Sequence, residues 1–233
     1  MKKLINFLGR LDVSIDEEQL SKLNQYMEGI LLWNEKINLT AIKDREQFIV
    51  KHYMDSLALL GDKTFHEAEC IIDVGTGGGF PGVPLAIMCP EKKFFLADSL
   101  KKRLNVIEQL CGEIGIGNCV TVHGRAEDLG HDLNYREVYD LAISRAVASM
   151  PVLMEYLLPL VKKDGFAVAF KGPDYEEELE KSRRALAILG GKNDHVFKFQ
   201  LEESQRNIGF IKKENTTPKK YPRKAGTPVK QPL

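Results

Sequence analysis

The stretch Ile71-Ile72-Asp73-Val74-Gly75-Thr76-Gly77-Gly78-Gly79-Phe80-Pro81-Gly82 decides the fold, because it joins an apolar strand, an acid and a glycine loop without a break. An uninterrupted apolar run suits a strand buried on both faces of a parallel sheet. The glycines let the next turn approach a ligand where a Cβ would collide. A second acid, Asp98, stands 25 residues after Asp73 and closes another apolar run, Phe94-Phe95-Leu96-Ala97. That places it at the carboxyl edge of the neighbouring strand, where a ribose lies in such sheets. The layout is that of a nucleotide-binding α/β domain.

The loop satisfies two nucleotide patterns. Gly77, Gly79 and Gly82 fit G-x-G-x-x-G, which implies a dinucleotide with its pyrophosphate on a helix N-terminus. Gly75, Gly77 and Gly79 fit G-x-G-x-G with Asp73 two residues ahead, which resembles motif I of class I S-adenosyl-L-methionine methyltransferases. Pro81 and Pro84 favour the second pattern, since each removes an N–H where a pyrophosphate needs donors. A plain turn does not account for five glycines in eight residues, given their entropic cost.

With 233 residues, 43% hydrophobic and 28% charged, the chain suffices for one α/β domain plus an extension. No stretch approaches the roughly 20 apolar residues of a membrane span, and the N-terminus lacks a signal-peptide core. The expected compartment is cytoplasmic, with no membrane partner. Cys70, Cys89, Cys111 and Cys119 form no C-x-x-C pair, so neither a zinc site nor a disulfide framework is indicated. Formal net charge is zero, yet seven Lys/Arg against one Glu from Lys212 onward leave the first 211 residues at minus six. Positive charge is concentrated in the tail.

Residues 1–66 read as a helical extension: Leu20, Leu23, Tyr26, Met27, Ile30 and Leu31 follow helical spacing after a Ser14 or Asp16 cap. A second helix from about Asp44 carries Phe48, Ile49, Tyr53, Leu57 and Leu60. Trp33-Asn34 to Asn38-Leu39-Thr40 connects them, with Trp33 expected to pack on the next domain. Residues 67–213 alternate strand and helix, which implies right-handed βαβ units. Strands are expected near 70–74, 93–97, 119–123, 139–144, 165–170, 195–200 and 207–212, with helices near 83–89, 101–115, 150–162 and 174–189. Only Glu202 to Arg206 separates the last two strands, too little for a parallel crossover, so they should pair antiparallel. A mostly parallel, seven-stranded sheet ending in a hairpin suits a Rossmann-like methyltransferase better than the dinucleotide fold. Residues 214–233 cannot bury a core of their own. They should be extended and mobile when free, either a solubilising arm or an RNA-contacting arm built on the basic residues flanking Tyr221.

Gly124-Arg125-Ala126-Glu127-Asp128 follows the third strand at the turn that faces an adenine in this fold. The Glu127 carboxylate can accept from the exocyclic amine; alternatively, Glu127 and Asp128 simply open a helix with charges that suit its dipole. The fourth strand ends Ser144-Arg145-Ala146, where [DNS]-P-P-[YF] of base-amine methyltransferases and a cysteine nucleophile are both absent. Arg145 can hold a phosphate, a carboxylate or a guanine edge, or form a salt bridge across the sheet edge. Guanine N7 fits this lack of acid/base machinery, since its lone pair carries no proton and in-line alignment is the main requirement.

Asp73 to Gly82, Asp98-Ser99-Leu100-Lys101-Lys102-Arg103, Arg125-Ala126-Glu127, Ser144-Arg145-Ala146 and Thr217-Pro218-Lys219-Lys220-Tyr221-Pro222-Arg223 together closely resemble the RsmG family, also called glucose-inhibited division protein B. The resemblance extends to Trp33 to Thr40 and to the helix bearing His52 and Asp55-Ser56, and so covers nearly the whole chain. It implies a bacterial enzyme that transfers methyl from S-adenosyl-L-methionine to N7 of one guanine in 16S rRNA of the small ribosomal subunit. Cofactor contacts are then expected from Gly75, Phe80, Ala126, Glu127 and Arg145, beside Asp73, Thr76, Gly77, Gly79 and Asp98 from the motif reading. Asn38, His52, Arg125, Arg145, Lys171 and Arg206 are the expected guanine or RNA face, with Lys219, Lys220, Arg223 and Lys224 as tail contacts and no metal. By itself His52 reads as an ordinary helix histidine. A methyltransferase for a small molecule or protein is the second reading, and an NAD-dependent oxidoreductase the third.

Overall fold

Seven strands form one sheet in the computed structural model, which describes all 233 residues. They are β1 (Cys70–Val74), β2 (Lys93–Asp98), β3 (Cys119–His123), β4 (Tyr139–Arg145), β5 (Val161–Lys171), β6 (Gly191–Leu201) and β7 (Ser204–Lys213). The spatial order is β3-β2-β1-β4-β5-β7-β6. β1 to β5 run parallel, whereas β7 lies antiparallel to both β5 and β6. The chain moves outward from β1 to β3 and then returns to place β4 on the other side of β1. The order therefore reverses between β1 and β4, and the crevice at their carboxyl ends is where open α/β sheets bind ligands.

Successive strand residues feed opposite cores, as a pleat requires. Ile71, Leu141 and Ile143 join an apolar cluster shared with helices Glu17–Trp33, Gly82–Met88 and Lys101–Ile114. Ile72, Val74 and Ala142 join the other, shared with helices Met150–Leu157 and Tyr175–Leu189. Both faces of the sheet are thus covered, which is why the strands read as unbroken apolar runs.

The N-terminal helices pack on the first face. Helix Glu17–Trp33 is capped by Asp16 rather than Ser14, through a reciprocal box with Gln19. Asn34 stitches the connector: its Oδ1 accepts from Leu39 N at 2.8 Å and Thr40 N at 2.9 Å, while Nδ2 donates to Thr40 O at 2.8 Å. The second helix starts at Asp44 as expected but is composite. An α turn, Arg45–Phe48, passes into a π turn, Ile49–Met54, then Asp55–Leu57 and a 3₁₀ turn, Ala58–Gly61. Such π turns re-aim side chains out of helical register, and this one carries His52.

Several expectations shift. The helix expected over 150–162 ends at Leu157 and β5 already begins at Val161. Pro159 is the reason, since it has no N–H with which to continue the helical ladder. β6 starts at Gly191, directly after a left-handed helix cap at Gly190 with φ +82°. The hairpin turn shrinks to Glu202-Glu203, so Arg206 lies in β7 rather than in a loop.

The larger correction concerns the tail, which is not a free arm. Thr217 is fully buried and Tyr221 only 7% exposed, packed on the second core. Arg136 donates to Thr217 O at 2.7 Å and Tyr221 O at 2.9 Å. Arg223 grips the fully buried Glu155 with a guanidinium fork and its backbone N–H. Composition correctly says that this segment has no core of its own; it does not reveal buried partners elsewhere that demand it.

Candidate functional site

Four strand ends converge at the point where the strand order reverses. Val74 and Gly75 at the end of β1, Asp98 and Ser99 at the end of β2, Gly124 to Glu127 after β3, and Arg145 to Ala148 at the end of β4 line a cavity of about 380 Å³. Its size falls within the range of small-molecule sites. The glycine loop is held by its own donors: Gly75 N and Thr76 N bond Ala97 O at 2.8 and 3.0 Å, and Gly77 N bonds Asp98 Oδ2 at 3.0 Å. Gly75, Gly77 and Gly79 adopt φ of +74°, +59° and +86°, the region that favours glycine. A Cβ on Gly77 would project into open space with only Gly75 O near it, at 4.0 Å. One on Gly79 would stand 2.3 Å from the Tyr26 hydroxyl.

Asp73 does not face this cavity. Its Oδ2 accepts from the Thr76 hydroxyl at 2.6 Å and Gly82 N at 2.9 Å, and its Oδ1 has no partner. Full burial pushes its carboxyl up to about 6, against the opposing pull of those two hydrogen bonds. Asp73 and Thr76 therefore set the loop's shape from behind. Gly79 and Phe80 also lie behind the wall. Among the expected cofactor residues, Gly75, Asp98, Ala126, Glu127 and Arg145 line the cavity.

On the far side of Arg145 lies a second cavity of about 210 Å³, walled by Leu153, Phe170 and Phe199 and edged by Lys171, Arg206 and Asn207. Arg145, Ala146 and Ala148 line both spaces. Ala146 sits at φ +57°, a conformation that costs a non-glycine residue about 1–3 kcal/mol, held at the junction of the two cavities. Arg145 is fixed on three sides: Nη1 donates to Lys51 O at 2.8 Å and Asp55 Oδ2 at 2.9 Å, and Nη2 donates to His52 Nδ1 at 2.9 Å. Asp55, only 2% exposed, also accepts from Arg206 Nε at 3.2 Å.

The guanidinium settles the state of His52. Nδ1 accepts from Arg145, so Nε2 carries the hydrogen and donates to Thr40 Oγ1 at 2.7 Å. Burial, aided by the Arg145 charge, pushes the imidazole down to about 3. The ring stacks on Phe80 at 4.3 Å and 11°, and the Arg145 guanidinium lies 5.7 Å from the same ring. Phe80 and His52 thus form a platform for Arg145 rather than a free wall.

The remaining expected residues separate. Lys171 lines the second cavity but is engaged by Glu178 Oε2 at 2.7 Å and Ala148 O at 2.8 Å. Arg125 is exposed at the first cavity. Asn38 lines neither cavity; its carbonyl accepts from Arg103 Nη2 at 3.4 Å, and Arg103 reaches Asp98 at 3.8 Å. Sequence reasoning assigned no role to Asp55, Thr40, Arg103 or Tyr156. Asp55, an acid within an apolar helical run, was the one detectable signal among them.

A family model described as rRNA small subunit methyltransferase G matches residues 19–208. The chain is 46% identical to the Ribosomal RNA small subunit methyltransferase G of Acetivibrio thermocellus, covering 100% of this chain and 96% of that protein. It is 44% identical to the protein of the same name from Clostridium novyi, covering 96% and 93%. The chain belongs to the rRNA small subunit methyltransferase G family. Solved structures of other methyltransferases share the fold of this chain. A 16S rRNA (adenine(1408)-N(1))-methyltransferase from Catenulisporales acidiphilia superposes with TM-score 0.52 at 17% identity, over 67% of this chain and 90% of its own. M. jannaschii TYW2 in complex with AdoMet gives 0.51 at 14%, over 63% and 70%.

The cofactor of this methyltransferase is S-adenosyl-L-methionine, and the residues present fit it. The first cavity has room for a nucleoside with a side chain, and two nearly buried carboxylates, Asp98 and Glu127, 6% and 7% exposed, to receive hydroxyl and amine donors; Gly77 lies outside its lining.

Proposed function

We propose that this chain methylates N7 of a guanine in 16S rRNA of the small ribosomal subunit, holding the cofactor in the first cavity and the guanine in the second. The observation that carries the proposal is the junction at Arg145. The groups there are locked, and none is free to take a proton: both His52 nitrogens are hydrogen-bonded and both Asp55 oxygens face arginines. An exocyclic amine must shed a proton during methylation. Guanine N7 offers a lone pair with no proton attached.

S-adenosyl-L-methionine, when bound, supplies an electrophilic methyl group. This chain's task is then alignment, and a displacement of about 1 Å costs roughly a hundredfold in rate. Asp98 and Glu127 receive donors of the cofactor, while Gly75 lines the wall without a side chain. Arg145, braced by His52, Asp55 and Lys51 O, separates the two spaces and orients the base. Arg206 has both terminal nitrogens free of protein partners, and with Lys171 it offers donors for guanine O6 or a phosphate. Arg125 and Asn38 edge the approach. Exposed Lys219, Lys220 and Lys224 serve as backbone contacts, whereas Arg223 is committed to Glu155. The test incubates labelled methyl donor and this protein with small subunits from a strain lacking the activity, followed by digestion and mass spectrometry. N7-methylguanosine is expected; methyl on an exocyclic amine or on adenine would overturn the proposal.

A further inference from the structure

The cofactor cavity has a wall that comes from the far end of the chain. Val229, in the short helix Thr227–Lys230, lines it beside Ala126 and Glu127. Val229 is 63% exposed and Val147 40%; both line this one cavity and both are among the eight large hydrophobic side chains left open to solvent. Two uncovered valines around a cavity that must receive a flat heteroaromatic ring are apolar surface awaiting a partner. Three residues before Val229, Gly226 N donates to Glu127 Oε1 at 3.1 Å. Gly226 takes φ +81°, the left-handed region, and so turns its N–H toward that carboxylate.

The segment is anchored well before it reaches the cavity. Arg223 is fixed on Glu155, and the next residue of that helix, Tyr156, is itself a cavity wall. His131 Nε2 lies 2.6 Å from Pro222 O, and Gly130 admits Pro222 so closely that a Cβ there would stand 2.5 Å from its ring. Burial and the neighbouring Glu127 charge push the Tyr156 phenol up to about 12, so it remains a neutral donor beside that carboxylate.

We propose that the C-terminal segment is part of the cofactor site, with Val229 covering the adenine and Gly226 N–H fixing the Glu127 carboxylate that receives its amine. This rests on the first cavity holding S-adenosyl-L-methionine. Cofactor binding and tail docking then favour each other, by the reciprocity of linked equilibria. The exposed Lys219, Lys220 and Lys224 are consequently presented in a fixed place when the site is filled.

Two variants test this. One ends at Ala225 and retains the Arg223–Glu155 anchor; the other is full-length Val229→Asp, at an exposed position where the fold tolerates the change. Both are titrated calorimetrically with S-adenosyl-L-methionine and with 5′-methylthioadenosine, which has the adenosine but no amino-acid end. Both ligands should bind at least about fivefold more weakly, the scale of losing part of one valine's burial, with the thermal midpoint of ligand-free Val229→Asp unchanged; the shortened chain also loses buried Pro228 and the packing of Leu233, so its midpoint is not the control. In the full chain, the cofactor should slow tryptic cleavage after Lys224. Affinities within twofold of the parent for both ligands would overturn the inference. Loss confined to S-adenosyl-L-methionine would also overturn it, by placing the tail at the methionine end. Absence of binding by the parent chain would refute the cofactor site itself and this inference with it.

Discussion

Replacing Asp55 by asparagine should destabilise the protein through a conflict that the geometry makes unavoidable. The carboxylate is 2% exposed and divides its oxygens between two arginines, Oδ2 to Arg145 Nη1 at 2.9 Å and Oδ1 to Arg206 Nε at 3.2 Å. An amide of the same shape has one acceptor and one NH₂, so one guanidinium N–H must face a donor. The Arg206 side chain is 34% exposed and its share is reduced by solvent, to about 0–1 kcal/mol. The Arg145 side chain is 12% exposed, and leaving a buried charge without its partner costs about 3–5 kcal/mol. For a chain of this size that corresponds to a thermal midpoint lower by about 6–20 °C. Urea unfolding measures it directly, and a double-mutant cycle with Arg145→Met should return a coupling of about 1–3 kcal/mol. A cost below about 1 kcal/mol with an unchanged denaturant slope would show that Asp55 does not brace Arg145.

Other consequences follow the same reasoning. Gly79→Ala should cost about 2–5 kcal/mol, because a Cβ at φ +86° meets the Tyr26 hydroxyl at 2.3 Å and Val83 at 2.7 Å. Gly77→Ala should cost only the conformational part, about 1–2 kcal/mol, while weakening cofactor binding in calorimetry; equal stability losses for the two glycines would refute the distinction. Arg223→Ala should cost about 3–5 kcal/mol by stranding the buried Glu155, and Arg223→Lys should rescue it only in part, since an ammonium cannot reproduce the fork. His52 lies at about 3 in the fold against 6.5 when unfolded. Its contribution is therefore complete above about pH 6.5 and is lost as pH falls toward 3, because the unfolded chain takes the extra proton. Asp73, raised from 3.8 to about 6, has the opposite sign, losing stability as pH rises through that window. Urea titrations at pH 7 and pH 4 should show a smaller drop for His52→Gln than for the parent; an equal drop would mean that His52 is charged in the fold.

The sheet and its loop were legible because their signals are local. Apolar runs ending at Val74, Asp98 and Arg145, and a glycine turn after the first, locate the crevice from spacing alone. What the sequence concealed depends on partners far along the chain. Arg206 meets Asp55 across 151 residues, and Arg223 meets Glu155 across 68, with no periodicity to announce either contact. His52 turns toward Arg145 from a π turn that apolar spacing reads as ordinary helix. Asp73 reads as a ligand contact because acids before glycine loops often are; its Oδ2 is instead bonded by its neighbours Thr76 and Gly82, and the side chain is fully buried. The tail misled because a charged side chain such as Arg223 reads as exposed until its partner is known.

The measurement that bears most directly on N7 transfer without a general base replaces the acceptor atom itself. Small subunits reconstituted with 16S rRNA containing 7-deazaguanine present C–H where guanine has N7, with the remaining ring edges unchanged. Incubated with this protein and labelled S-adenosyl-L-methionine, subunits containing ordinary guanine should take up one methyl group each and the 7-deaza subunits none. Undiminished incorporation into the 7-deaza subunits would place the methyl on another atom and contradict the account.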